Sequence, residues 1–337
     1  MNHSDRLAAF VALGQRLRHL SADELTTLAS RARNTNNWFD EPNVTAAVRG
    51  VAQLLAEDTL RTWAGRYAPE PAQPRRVGVV MAGNIPLVGF HDLLCVLLSG
   101  HHLLAKPSAD DKVLMTWIAQ ELTTLEPRFA ERIAFVERLN EADAFIATGS
   151  NNTARYFEYY FGKKPNLIRR SRTSLAILTG EETPDTLAAL GRDIFQYYGL
   201  GCRNVSKLYV PAGYSFTPLL DALEPWHTVL QHNRYQNNYD YNKSLLLVNR
   251  VPHFDNGFLL VTEGGALVSA ISVLHYGTYS SEVDLMDQLT DVAEQIQCIV
   301  SDEGRYAGSF AFGQAQSPKV TDYADGTDTM AFMAEIG

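Results

Sequence analysis

With 337 residues the chain is too long for one small core, so two domains are expected. Its 46% hydrophobic and 20% charged residues describe an ordinary globular protein. A formal net charge of -9 without a basic stripe argues against a nucleic-acid partner, and a phosphate-bearing ligand would need a local basic patch.

Helical spacing of Leu7, Phe10, Val11, Leu17 and Leu20 predicts a first helix. Ser21 and Glu24 in SADEL form a capping-box pattern that opens a second. NVTAAVRGVAQLL (43–55) and LRTWAGRY (60–67) predict two more helical pieces. The proline-rich stretch 68–76 is a linker or extended lead-in.

The texture then changes. VGVVMAG (77–83) has the β-branched run of a buried parallel strand. LVGFHDLLCVLLSG (87–100) predicts a helix closed by Gly100. HLLAKPS (102–108) is a second strand stopped by Pro107, DKVLMTWIAQEL a helix, RIAFVE and DAFIATGS strands, and NNTARYFEYYFG a helix closed by Gly162. This alternation predicts βαβ units and a doubly wound parallel sheet. Ligands of such sheets bind beyond the carboxyl ends of the strands, which here are AGNIP, KPS and TGSNN. A second set begins with SLAILTG as a strand, TPDTLAALGRDIFQYYG as a helix and SKLYVP as a strand. KSLLLVNR, GFLLVTEGGALVSAISVLHYGTY and a helix SEVDLMDQLTDVAEQI follow. The change of units places the domain boundary near Arg169–Thr173, giving domains 1–171 and 172–337.

The three cysteines, Cys95, Cys202 and Cys298, are far apart and odd in number, so neither a disulfide framework nor a zinc ribbon is suggested. A reducing, cytoplasmic setting fits. The start MNHSDRLAAFVALGQ lacks a signal-peptide core, and no apolar run reaches about 18 residues, so no membrane span is expected. The histidines show no ligand spacing, so no metal site is expected.

Cys202 lies in YYGLGCRNVSKLYV. The default reading of a cysteine is packing. Three local features favour a nucleophile: Gly199 and Gly201 permit a tight turn, the residue sits on a connector after a helix, and the adjacent Arg203 would favour thiolate. Cys95, in an apolar helix, and Cys298, in IQCIV, read as core. Asn84 in AGNIPLVGF is either a turn asparagine or an amide donor to an oxyanion. Gly149 and Ser150 precede a helix start, where Ser150 is either an N-cap or part of a phosphate cradle. Neither standard nucleotide fingerprint is present. Lys106 ends a strand as a solvated lysine or a ribose or phosphate contact. The run KKPNLIRRSR (163–172) is a solvated loop or a phosphate-binding patch, of coenzyme A for example.

AGNIPLVGFHDLLCVLLSGHHLLAKPS, FIATGSNNTARYFEYYFGKKPNLIRRSRTS and YYGLGCRNVSKLYVP together closely resemble the LuxC-type acyl-CoA reductases of the aldehyde dehydrogenase superfamily. The likeness extends to NNWFDEPNV near the start and FGQAQSPKVTDYADGTDTM near the end. It implies an α/β, aldehyde dehydrogenase-like fold: a helical N-terminal segment, a Rossmann-type parallel sheet cofactor domain and an α/β catalytic domain, with the active site between them. It implies NADPH-dependent reduction of a fatty acyl-CoA thioester to the aldehyde. By the same resemblance Cys202 matches the nucleophile, Asn84 the oxyanion-hole asparagine and Lys106 the lysine on the adenosine ribose. Gly149 and Ser150 match the turn near the cofactor phosphates, and Glu263 in TEGGALVS matches the glutamate that grips the nicotinamide ribose, with different spacing after it.

Three departures from the superfamily pattern stand out. Ala154 replaces the last glycine of the G-S-x-x-x-G pattern. The stretch LIRRSRTS has no counterpart of the water-activating glutamate, which suits an enzyme that must not hydrolyse its acyl-cysteine. Ser108 stands where NAD-preferring relatives often carry an acid, and a neutral residue would spare an NADPH 2′-phosphate a like-charge clash. Relatives often associate, so a homo-oligomer or a complex with an acyl-transferring partner is expected. Three other readings are compatible with a nucleophilic Cys202: an acyltransferase, an acyl-carrying subunit, and a reductase taking an acyl carrier protein thioester or acyl phosphate.

Overall fold

The computed structural model describes residues 1–67 and 70–337. Ala68 and Pro69, at the head of the expected proline-rich lead-in, lie outside the described residues. The chain forms two compact units, one of residues 1–171 with 318–337 and one of residues 172–317. Residues 318–337, which the sequence reading grouped with the second unit, pack instead with the first.

The first unit opens with helices α1 (His3–Arg18), α2 (Ala22–Thr35), α3 (Glu41–Leu54) and α4 (Glu57–Ala64). Each of the first three starts on a side-chain cap: Asn2 and Ser21 in capping boxes, and Asp40 on the Asn43 N–H. Then β1 (Arg76–Val80), α5 (Phe90–Leu98), β2 (His102–Lys106), α6 (Lys112–Leu125), β3 (Ile133–Phe135), β4 (Ala144–Thr148), α7 (Asn151–Phe161) and β5 (Asn166–Arg169) alternate as expected. The five strands are parallel, in the order β3-β2-β1-β4-β5. Because β2 and β4 flank β1 on opposite sides, the chain reverses direction at β1, and a crevice opens there beyond the carboxyl ends. Helix α5 starts at Phe90, three residues later than expected, because Leu87 takes φ 58° and Gly89 is the N-cap. Gly100, with φ 92°, ends it as expected, since only glycine adopts that conformation without strain.

The second unit runs β6 (Thr173–Ile177), α8 (Pro184–Phe195), β7 (Val205–Pro211), α9 (Thr217–Ala222), α10 (Asn233–Val248), β8 (His253–Asp255), β9 (Leu260–Glu263), β10 (Val273–Tyr279), α11 (Glu282–Val292), β11 (Ile296–Ser301) and β12 (Phe310–Ala311). Its seven strands lie in the order β12-β11-β6-β7-β10-β9-β8, and only the β8–β9 pair is antiparallel. KSLLLVNR is the end of α10, and GFLLVTEGGALVSAISVLHYGTY divides into β9, a loop and β10. The helix expected through Gly199 stops at Phe195.

The last helix, α12 (Thr329–Ile336), belongs to the first unit. The buried Arg169 holds Asp92 of α5 with two 2.8 Å contacts and Thr329 at 2.7 Å. His101 accepts the Arg75 N–H on Nδ1 and meets the Met333 carbonyl with Nε2, which fixes the Nε2–H tautomer.

Candidate functional site

The nucleophile candidate is built on the turn between α8 and β7. Tyr197, Tyr198 and Gly199 take φ values of 54°, 56° and 76°, three successive residues in the left-handed region. For the two tyrosines that conformation is strained, by about 1–2 kcal/mol each, and something must hold it. Asn204 does. It is buried, and its Nδ2 reaches the carbonyls of Asp193 at 3.0 Å, Ile194 at 3.4 Å and Gln196 at 2.8 Å. Its Oδ1 accepts the Gly201 N–H at 2.8 Å, and its own N–H closes on the Gly201 carbonyl at 3.0 Å. Cys202 sits inside that closed turn, half-buried and outside any disulfide. Ser174 of β6 donates to the Cys202 carbonyl at 3.0 Å while accepting the Cys298 N–H at 3.2 Å. The Cys202 backbone is thus tied to α8 through Asn204 and to β6 and β11 through Ser174.

Arg203, next to Cys202, has partners of its own. Its Nε donates to the Ala315 carbonyl at 2.6 Å and its guanidinium lies 4.9 Å from the Phe310 ring centre, so it ties the turn to β12 and the segment after it. Asp193, fully buried, accepts the N–H groups of Gly313 at 2.6 Å and Ala315 at 3.0 Å. Arg192 adds bonds to the Gly313 carbonyl and the Ser317 hydroxyl. Burial pushes the Asp193 carboxyl up to about 6 against the pull of those two N–H groups. Cys95 and Cys298 are buried. Burial raises the Cys95 thiol well above its ordinary value, which leaves it inert.

In the first unit the structure gathers Asn84, Lys106 and Ser108 at one edge. The β1–β2 ladder continues past both strands, with the Met81 N–H on the Lys106 carbonyl at 3.0 Å and the Ser108 N–H on the Met81 carbonyl at 3.2 Å. A Cβ on Gly83 would lie 2.6 Å from the Ser108 Cβ, so glycine is required for the Asn84 loop to lie flush on that turn. Asn84 and Lys106 are exposed. Ser108 accepts the Asp110 N–H at 3.3 Å, and Ser150 caps α7 through the Thr153 N–H at 3.2 Å, so both also fill the plain capping roles open to them. Gly149 follows β4, the other neighbour of β1, and a Cβ there would press on Thr153 and Phe157 at 3.0 Å. Ala154 is the buried residue of α7.

Glu263 is exposed at the end of β9. Register places it opposite Tyr276, level with Leu208 two strands away, well beyond the Cys202 turn. The structure does not bring those two side by side. Among the described residues no His, Cys, Asp and Glu cluster could hold a metal, and no helix is long and apolar enough to cross a membrane.

A family model described as acyl-CoA reductase (LuxC) matches residues 20–218, more than half of the chain. The chain belongs to this family. It is an aldehyde-forming oxidoreductase. No curated protein compared with this reductase matches it. Among solved structures it is similar to a NAD-dependent benzaldehyde dehydrogenase from Corynebacterium glutamicum, at 12% identity and TM-score 0.64, covering 89% of this chain and 76% of that one. It is also similar to an aldehyde dehydrogenase of Mycobacterium tuberculosis complexed with NAD+, at 16% identity and TM-score 0.60, covering 89% and 73%. A third is the NAD+ complex of an aldehyde dehydrogenase from Bacillus cereus, at 13% identity and TM-score 0.62, covering 89% and 72%. These likenesses establish the aldehyde dehydrogenase-like fold expected from the sequence.

The partners Asn204, Asp193 and Ser174 of the reductase's cysteine turn escaped the sequence reading. Two of them left signals. Asp193 is an acid near the carboxyl end of an apolar helix, where the helix dipole disfavours it, so it needed special partners. Asn204 stands three residues after a turn glycine, the place for a side chain that folds back on the backbone. Ser174, beside Thr173 in a short buried strand, left none.

Proposed function

We propose that the chain reduces a fatty acyl-CoA to the aldehyde through an acyl-cysteine on Cys202, with NADPH as reductant. The observation that carries it is the locked turn. Cys202 is partly open to solvent, its backbone is fixed on both sides, and the other two cysteines are buried.

The Cys202 thiolate attacks the thioester carbonyl, with the Asn84 amide as oxyanion donor. The carbon–sulfur bond to coenzyme A breaks, the coenzyme A thiolate departs, and an acyl-cysteine remains. NADPH, when bound, supplies the hydride that converts this thioester to a thiohemiacetal. The thiohemiacetal oxyanion then collapses, breaking the Cys202 carbon–sulfur bond, releasing aldehyde and returning the thiolate. Lys106 and Ser108 would hold the adenosine end of the cofactor, and Gly149 and Ser150 the diphosphate. The flush packing of Gly83 on Ser108 and the Gly149 turn ahead of the 11-residue helix α7 fit a dinucleotide. The carboxylate-free stretch 167–174 fits an acyl-enzyme that outlasts water.

Intact mass after mixing with a long-chain acyl-CoA tests this, on the wild type and Cys202→Ala. A thioester-labile adduct that requires Cys202 and disappears as aldehyde forms on adding NADPH, faster than on adding NADH, is expected. An adduct indifferent to either nucleotide would leave acyl transfer as the activity. No adduct from acyl-CoA would move the test to acyl carrier protein thioesters and acyl phosphates.

A further inference from the structure

Asp111 is the most anomalous polar group in the first unit. It is 1% exposed, and neither carboxyl oxygen has a hydrogen-bond partner. It occupies the N-cap position of α6, where an aspartate ordinarily turns onto the first N–H groups of its helix, yet its side chain makes no cap bond. A buried carboxyl without partners is costly, and giving up a local partner as well calls for a reason.

The side chain faces the Leu87 N–H, short of a closed hydrogen bond. Leu87 is buried and left-handed, at φ 58°, a conformation that a branched side chain adopts only when its surroundings impose it. The same short turn, 108–111, meets the loop again at its other end, where Gly83 lies flush on Ser108 and Asp110. Asn84, Ile85 and Pro86 span the gap between these two seats. Burial raises the Asp111 carboxyl well above its ordinary value, against the pull of the Leu87 N–H.

We propose that Asp111 is a positioning residue, a buried side chain that seats the left-handed Leu87 turn and so aims the Asn84 amide. This rests on Asn84 acting as the oxyanion donor.

Two readouts on the full chain test it: single-turnover acylation of Cys202 by acyl-CoA, and amide exchange across residues 83–88. Asp111→Ala should speed exchange at 84–88 and slow acylation about tenfold with the acyl-CoA KM unchanged, as expected when a catalytic group is misplaced. Asp111→Asn keeps the shape and an acceptor oxygen for the Leu87 N–H, and should bring both readouts back to within about threefold of wild type. In an Asn84→Ala background, Asp111→Ala should cost nothing further in acylation. Unchanged acylation in Asp111→Ala, an Asp111→Asn enzyme as slow as the alanine variant, or a full additional loss on top of Asn84→Ala would each overturn the proposal. If Asp111→Ala does not fold, Asp111→Ser takes its place in every comparison. If the wild type forms no acyl-cysteine, the proposed function fails separately. Exchange then decides, and unchanged protection at 84–88 in Asp111→Ala would overturn the seating role.

Discussion

Asn204 bonds three carbonyls through its amide nitrogen and one N–H through its oxygen, at a position 2% exposed. Asn204→Ala strands those groups in the interior and should destabilise the protein by about 2–4 kcal/mol, since each orphaned buried group costs about 1–3 kcal/mol and relaxation recovers part. Asn204→Asp is the sharper test. A carboxylate can still accept the Gly201 N–H, but it would face three carbonyls with lone pairs instead of donors, so it should be at least as damaging as alanine. Urea unfolding reads the stability, and the iodoacetamide rate at Cys202 reads the turn. A benign aspartate variant would mean that Asn204 only fills space. Asp193 adds a pH signature. Its carboxyl rises from 3.8 to about 6 on folding, so the folded state binds the proton more tightly. Its contribution is full below about 4 and is lost as pH rises through about 6. Asp193→Asn should therefore flatten that part of the stability curve between pH 4 and 6, measured as the difference from wild type in urea midpoints at each pH. Identical slopes would show that the carboxyl does not titrate in that window. Cys202 was legible as a candidate because glycines and a connector mark it. Its supports were not, because each is a polar residue whose partners are brought near only by the fold.

The alternation of strands and helices was legible because β-branched runs and helical spacing are local signals. Element ends were less so where a single residue overrides periodicity. LVGF has helical spacing, yet Leu87 at φ 58° delays α5 to Phe90 and leaves the Asn84 loop a turn. KSLLLVNR ends α10 with Leu245, Leu247 and Val248 exposed, an apolar run whose periodicity does not report burial. The tie between α5, β5 and α12 is a buried ion pair, Asp92–Arg169, at 2.8 Å with side chains 9% and 4% exposed. Asp92→Ala should cost about 3–5 kcal/mol, because it leaves a guanidinium in the interior without its counter-ion. Replacing both partners, as Asp92→Leu with Arg169→Met, should be milder than the single change. Thermal melts of the three proteins decide it, and a double variant no better than Asp92→Ala would place the cost in packing instead of charge.

At the scale of the molecule, the discontinuity of the first unit was not legible. Residues 318–337 follow the second unit in the chain, and no local pattern in SPKVTDYADGTDTM says where they dock. What fixes them is a set of long-range polar contacts. The Val320 carbonyl takes the His91 Nε2 contact at 2.8 Å, Met333 takes that of His101 at 3.0 Å, and Thr329 that of Arg169 at 2.7 Å. Tyr323 bonds the hydroxyl of Tyr67 and the indole of Trp63, both at 2.7 Å. His91 and His101 are held below their ordinary pKa by burial. A chain ended after Ser317 would strand these buried donors at about 1–3 kcal/mol each. Three of them approach the whole stability of a typical domain. The second unit loses none of the contacts within its own sheet. Amide exchange on the shortened chain should therefore show protection lost across α5, β1 and β5 while β6, β7, β10 and β11 keep theirs. Equal loss in both sets would mean that the two units unfold as one. Protection retained in α5 would mean that the terminal segment is an ornament, and that Arg169 and the two histidines find other partners without it.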